Sequence, residues 1–290
     1  MNSTDYAFTT GSEYVSNQST AYQNAAFADY FVDLTMTTER FEIMMNGAYG
    51  HMPHLSLYMH TKEGEFIGFA RTAARASRAW CAGLALVPTW RAKKVGGVLT
   101  KKYLELLNEK SDIKVLQLEC INANVPAMKL YERVGFRKNY DLFIYGFEGG
   151  GDNRRGAPDG YEFRNSDALD LQLPWLQYRT QYSWQREISS VLAIKSTQLA
   201  LCKITDGSLV MAIAVEERID YHRIIAIAYT ENPGSEHLSL LIREAVAASG
   251  KNKALLVNEP EHSPVISLLE SVGNRETELE STHMIYEFQR

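Results

Sequence analysis

Three pairs of segments recur along the chain at a nearly constant spacing, and this repeat constrains the fold more than any single residue does. LALCKITDGSLVMAIAV follows the strand–turn–strand pattern of LYMHTKEGEFIGFA, with Gly207 lying 143 residues beyond Gly64. SPVISLLESVG follows VPAMKLYERVG, with Pro264 and Gly273 each 138 residues beyond Pro126 and Gly135. IYEF at Ile285–Phe288 follows IYGF at Ile144–Phe147 by 141 residues. Spacings that agree this closely over three elements imply two copies of one α+β unit, with a shared fold and not necessarily a shared job.

A length of 290 residues accommodates two such units. The stretch EGGGDNRRGAPDG, Glu148–Gly160, is too polar and glycine-rich to bury apolar surface and reads as a linker. The expected division is therefore 1–148, a linker at 149–160, and 161–290. In the first half, Ala21–Phe31 and Thr37–Met45 are helix candidates, Thr37 capping the second with Glu39 in its first turn. LSLYMH and FIGFART flank the turn TKEGE as a hairpin, and WCAGLALV follows as a nearly continuous apolar strand. Val95, Val98, Leu99, Tyr103, Leu106 and Leu107 then recur at helical spacing. KVLQLECI is the next strand, Asn124–Val134 the next helix, and DLFIYGF closes the half.

The formal charge of −5 lacks the basic footprint of nucleic-acid binding, so no nucleic-acid partner is expected. Cys81, Cys120 and Cys202 each lie in an apolar run and read as buried free thiols. The beginning MNSTDYAFTTGSEY shows no signal-peptide pattern and no apolar stretch approaches membrane-spanning length. The expectation is a cytoplasmic protein without a membrane partner.

The chemistry gathers at VPTWRAKKVGG, Val87–Gly97. A strand ending at Pro88, a basic turn and a helix starting near Val95 place unpaired backbone N–H groups at a helix N-terminus, which suits a pyrophosphate. Arg91, Lys93 and Lys94 add charge, and Gly96 and Gly97 let the backbone approach a ligand. Basic turns are common, and on the loop alone a solvated surface turn explains it as well. LQLECINANVPAMKLYERVGF adds the second half of a pattern, a strand running through Asn124 into a helix with Pro126 in its first turn and Gly135 after its end.

Leu86, Pro88, Arg91 and Gly96, followed by Leu118, Glu119, Asn124, Ala127, Leu130, Tyr131, Glu132, Gly135 and Phe136, together resemble the GNAT superfamily of acyl-CoA-dependent N-acyltransferases. The resemblance covers most of residues 1–148. It implies a three-layer α+β fold, with a mixed, mostly antiparallel central sheet flanked by helices, here duplicated in tandem. Ala92 and Lys94 stand where the family usually has glycines, and a positive φ at position 94 would cost a lysine roughly 1 kcal/mol.

The resemblance further implies direct attack of an amine on the thioester of acetyl-CoA, with no acyl-enzyme and no metal. Leu84, Ala85 and Leu86 would lie beside the pantetheine, a strand amide polarising the thioester carbonyl. Ala92, Lys93, Lys94, Val95, Gly96 and Gly97 would hold the pyrophosphate, and Asn124 would bond the pantetheine arm or order water near it. Tyr131 would donate a proton to the departing thiolate, or else be a core aromatic on the face it shares with Ala127, Leu130 and Val134. Glu119 would be the general base, as in relatives that acetylate the N-terminal alanine of ribosomal proteins, or else a salt-bridged surface residue.

Other features read as structural. His51 and His54 have no third ligand near them in sequence, so no metal site is expected, although they could line the acceptor side. Trp175, Tyr178 and Tyr182 have helical spacing and suit a core or domain interface, and the linker GGG opens no helix. The second copy has TENPGSEHLS in place of the basic turn, Leu269 in place of Tyr131 and His262 in place of Asn124. It reads as a degenerate twin that covers apolar surface, shapes the acceptor cleft or forms a homodimer. The expected function is N-acetylation of a primary amine, a small molecule or a peptide N-terminus. The alternative, a non-enzymatic acyl-CoA-binding or scaffolding protein, is favoured by Ala92 and Lys94.

Overall fold

Val95, Leu99, Tyr103 and Leu107 recur every four residues, so one face of helix α3, Val95–Lys110, is wholly apolar and wholly buried. Each such side chain contributes about 1.5–3 kcal/mol when fully removed from water. The face packs on one side of a sheet, and the Tyr103 hydroxyl meets Thr72 Oγ1 at 2.8 Å. The computed structural model describes residues 5–148, 156–165, 183–218, 220–229, 234–247 and 252–289. The expected helix containing Trp175, Tyr178 and Tyr182, and residues 149–155 of the expected linker, lie outside the described residues.

Two compact units emerge, and their limits differ from those expected at the linker. Unit 1 is Met1–Asn139 with Thr282–Arg290, and unit 2 is Tyr140–Ser281. In unit 1 the strands β1 (Ala7–Thr10), β2 (Leu57–His60), β3 (Phe66–Arg75), β4 (Arg78–Leu86), β5 (Val115–Ile121) and β13 (Ser281–Glu287) lie in that order. The β1–β4 pairings are antiparallel and β4–β5 is parallel. Helices α3 and α4 (Val125–Val134) carry residues of the core on one side of this sheet. On the other side, α1 (Ser16–Ala26) contributes Ala26 to a second cluster with Tyr58, Phe69 and Ala85.

In unit 2 the order is β7 (Tyr161–Asn165), β8 (Thr197–Lys203), β9 (Leu209–Glu217), β10 (His222–Tyr229), β11 (Lys253–Pro260) and β6 (Arg137–Glu148, from Tyr140 onward), with the two-residue β12 (Asn274–Arg275) also paired to β6. Here too one pairing is parallel, β10 with β11, and the β7–β10 pairings are antiparallel. The two IYxF strands are thus each the closing strand of the other half's sheet: β13 lies beside β5, and β6 beside β11. Leu238, Leu241, Ile242 and Val246 are the buried face of α6, Ser235–Ala247, after the short helix α5, Ile188–Ala193. Helix α7, Ile266–Val272, buries Leu269 in the same core.

The local punctuation agrees with the sequence reading at several points. Thr37 Oγ1 accepts from the Arg40 amide at 3.1 Å, capping α2 (Thr38–Phe41), which widens into a π-helical stretch at Glu42–Tyr49. Helix α1 differs from expectation, covering Ser16–Ala26 rather than 21–31. Its buried residues are Ser19, Thr20, Gln23 and Ala26, a face that apolar periodicity does not detect.

Candidate active site

Pairing of β4 with β5 is confined to Arg78–Trp80 against Val115–Gln117. Beyond that point Cys81–Leu86 and Leu118–Ile121 carry on without a register between them, so Leu84, Ala85 and Leu86 line a splayed edge of β4. Just before this, the β3–β4 register shifts between Arg71–Gly83 and Thr72–Cys81, leaving Ala82 as an extra residue. A bulge of this kind bends its strand and re-aims the side chains after it.

The turn that follows has the backbone of a glycine loop without the glycines. Ala92 has φ 59° and Lys94 φ 62°, and Lys94 leads directly into α3, whose N-terminus has no side-chain cap. The amides of Val95, Gly96 and Gly97 therefore start the helix with its positive dipole end towards the turn. Gly96 packs closely on α4: a Cβ there would lie 3.3 Å from Leu130 Cδ2, so the Leu130 side chain would have to shift by a few tenths of an ångström. Left-handed alanine and lysine each cost about 1 kcal/mol. Ala92→Gly and Lys94→Gly are each expected to raise the unfolding free energy by about that amount, measured by denaturant titration. Only Lys94→Gly removes a cation, so it alone is expected to weaken binding of a pyrophosphate.

The three basic residues of the turn separate in space. Arg91 turns back into the protein, donating from Nε to Leu86 O at 3.0 Å and from Nη2 to Ala26 O at 2.8 Å, with Asp29 2.6 Å from Nη1. It ties the turn to the end of α1. Lys93 lies over the Trp90 ring, its Nζ 4.9 Å from the centroid, while Lys94 is exposed. Asn124 caps α4, its Oδ1 accepting from the Ala127 amide at 3.3 Å. Gly135 ends α4 with φ 107°.

Tyr131 and Glu119 belong to opposite faces of the sheet. Leu118 and Cys120 enter the core under α3, as do Ala79 and Cys81, so Glu119 and Trp80 between them face the other way. The Trp80 indole N–H donates to Glu119 Oε2 at 2.5 Å and its ring meets Tyr49 edge-on. Tyr131 belongs to the α3-side core and packs against Phe136. Burial, reinforced by Cys81, Cys120 and Tyr30, pushes its phenol well above the usual tyrosine value. Burial also pushes the Cys81 and Cys120 thiols up to about 12, which removes them as nucleophiles at neutral pH.

On the Glu119 side of the sheet the structure adds residues that the motif did not indicate. Arg71 on β3 is fully buried, with its Cζ 4.7 Å from the Phe41 ring centre and 4.5 Å from that of Phe69. Its Nη1 donates to Gln23 Oε1 of α1. A charged residue inside the apolar run FIGFARTAA was the available signal for it. His51 bonds Asn46 Oδ1 at 3.1 Å and Ser56 Oγ at 3.2 Å, and burial and then Arg71 lower its pKa to about 3.

His51 makes stability pH-dependent with a definite sign. Above pH ~6.5 both folded and unfolded states carry neutral imidazole, and below it the unfolded chain takes the proton first. Stability is expected to fall as pH drops from ~6.5 towards ~3, by up to about 1.4 kcal/mol per pH unit from this group. Denaturant titrations at about pH 7 and about pH 5 check this, with His51→Gln expected to flatten the difference.

Unit 2 repeats the frame of this site and not its side chains. β10 pairs with β11 only over His222–Ile224 and Ala254–Leu256, and a register shift again follows on the β9 side. Leu269 is fully buried where Tyr131 stands in unit 1, His262 is exposed, and the N-cap of α7 is Val265, which supplies no side-chain cap. Residues 230–233 of TENPGSEHLS lie outside the described residues, and Glu236 occupies the first turn of α6.

Residues 21–136 match the family model for the acetyltransferase (GNAT) family. Among solved structures, the chain is similar to a tandem GNAT protein from the clavulanic acid biosynthesis pathway, with a TM-score of 0.69 and 14% identity over 97% of this chain and 98% of that one. It is similar to a GCN5-related N-acetyltransferase from Sphaerobacter thermophilus, with a TM-score of 0.68 and 11% identity over 99% and 96%. A GCN5-related N-acetyltransferase from Anabaena variabilis gives 0.58 and 14% over 97% and 72%. No curated protein matches the sequence. The structural likeness extends the GNAT fold over both halves of the chain. Among the described residues no helix is long and apolar enough to cross a membrane.

Proposed function

We propose that unit 1 is an acetyl-CoA-dependent N-acetyltransferase in which a primary amine attacks the thioester directly in a ternary complex. The observation that carries this is the β4–β5 splay leading into a turn that keeps left-handed backbone at Ala92 and Lys94 despite lacking glycine there. A loop with no ligand would have no reason to retain two strained residues at the start of α3. The residues fit acetyl-CoA. Leu84–Leu86 offer an unpaired strand edge to the pantetheine and an amide to the thioester carbonyl. The backbone of Ala92–Gly97 and the Lys93 and Lys94 ammonium groups take the pyrophosphate. Arg91 acts by holding the turn, through Leu86 O and Ala26 O, and Asn124 by fixing the start of α4.

Glu119, oriented by the Trp80 indole, accepts the proton of the attacking amine on one face. Tyr131 approaches from the other face and stays protonated at neutral pH. An ordinary thiol has a pKa of about 8.5, so complete proton transfer from so weak an acid runs uphill. The phenol therefore works as a hydrogen-bond donor to the developing thiolate. The buried thiols Cys81 and Cys120, with pKa values of about 12, argue for direct attack over an acyl-cysteine.

Unit 2 is read as non-catalytic, so the intact chain takes one equivalent of acetyl-CoA. Calorimetric titration tests the stoichiometry, and release of free CoA thiol with a panel of primary amines tests the reaction. A second equivalent, or binding without CoA release for every amine, would count against this reading.

A further inference from the structure

Arg71 is wholly buried on β3, and its Nε and Nη2 have no hydrogen-bond acceptor. No ion pair to it occurs among the described residues: its company is Gln23 Oε1 and the rings of Phe41 and Phe69. The Tyr58 phenol approaches the guanidinium without hydrogen-bond geometry, and its oxygen is likewise buried and unsatisfied. A guanidinium does not shed its proton, and a buried cation without an anion is unfavourable. Three unspent polar groups therefore surround a permanent positive charge. Two free nitrogens of one planar fork match the two oxygens of a carboxylate.

The strand register says where this fork lies. Arg71 pairs with Gly83, next to the bulged Ala82, at the level where β4 leaves β5. It faces α1 and α2 through Gln23 and Phe41, and Glu119 faces the same side of the sheet through Trp80 and Tyr49. One strand separates β3 from β5, so the two backbones are about 10 Å apart. Beyond Trp80 and Gln117, where β4 and β5 no longer pair, the separation is larger than this.

We propose that Arg71, with Tyr58, binds a carboxylate of the acceptor, so that the substrate is an amine that also bears a carboxylate, such as an amino acid. The amine end lies towards Glu119 and the carboxylate end at Arg71. Because Arg71 is covered, entry requires the α1 and α2 layer to part from the sheet. The inference rests on the acetyltransferase reading of unit 1.

The test uses the full chain, acetyl-CoA, and amino acids paired with their carboxamides, which remove the negative charge and keep the amine. Wild-type kcat/KM is expected to drop about a hundredfold or more on amidation, because the amide leaves the fork unpaired. Arg71→Met is expected to abolish that preference with acetyl-CoA affinity unchanged. Arg71→Lys keeps the charge and loses the fork, and is expected to raise KM for the acids and leave it unaltered for the amides. Equal wild-type turnover of acids and amides overturns the proposal, as does an undiminished acid preference in Arg71→Met. Should Arg71→Met not fold, the wild-type preference and the Arg71→Lys KM values decide alone. Failure of the acetyltransferase reading looks different: no CoA release with any amine, charged or neutral, and no binding of acetyl-CoA.

Discussion

Tyr131→Phe is expected to lower kcat about a hundredfold or more, with acetyl-CoA affinity nearly unchanged. The phenol sits in the α3-side core, and burial holds its proton on, so in the mechanism we propose its bond to sulfur is realised only as the thiolate develops. An interaction made in the transition state alone appears in kcat and kcat/KM together. Removing the hydroxyl leaves the ring and its contact with Phe136, so the fold is expected to survive. Steady-state kinetics alongside calorimetry with acetyl-CoA separate the two roles. Near-normal kcat in a folded variant would return Tyr131 to a packing role.

A chain cut at Glu148 is expected to lose its fold, although the cut falls at the start of the glycine-rich stretch. Unit 1 needs β13 and the residue after it: Met284 is buried in the α3-side core, and Tyr286 and Phe288 pack against it. The Phe136 and Tyr286 rings meet at a tilt with centroids 5.5 Å apart, and Arg137 pairs with Glu287 at 2.9 Å. Losing one fully buried and two partly buried large side chains costs roughly 5 kcal/mol, a large share of the 5–15 kcal/mol that typically holds a domain. It also opens the edge of β5 to pairing with other chains. The complementary piece, residues 161–290, lacks the β6 strand that lies beside β11. Circular dichroism and sedimentation of 1–148 alone, and of 1–139 joined to 282–289, check this. The joined chain is expected to regain the folded spectrum that the cut chain lacks, and equal behaviour of the two would refute the exchange.

Much of unit 1 was legible because its signals are local. Thr37 and Asn124 cap the helices that follow them, Gly135 ends α4 in the left-handed region, and the four-residue recurrence from Val95 to Leu107 is the buried stripe of α3. A side chain that bonds an amide three residues away, or a stripe on one helix, needs no knowledge of the rest of the chain. The repeat was legible for the same reason: each copy keeps its own punctuation and apolar spacing.

The site itself was only half legible. The turn, Glu119 and Tyr131 are proposed from their spacing alone, whereas the inward course of the Arg91 guanidinium depends on Ala26 and Asp29, more than sixty residues earlier. Arg71 was hidden because a residue's burial depends on what covers it. Here the cover is a helix whose inner face is Ser19, Thr20 and Gln23, which has no apolar stripe to announce it.

Residue order by itself determined that there are two α+β copies, where their helices start and stop, and that only the first keeps the basic turn and the tyrosine. Tertiary structure alone decided that IYGF closes the sheet of the second copy and IYEF that of the first. The physical reason is that a strand's alternation specifies which of its faces is buried and carries no record of which edge it joins. Two strands with the same IYxF pattern satisfy either edge equally well. The choice between them rests on contacts made across more than a hundred residues of chain, such as Phe136 with Tyr286 and the pairing of Tyr145 with Leu256.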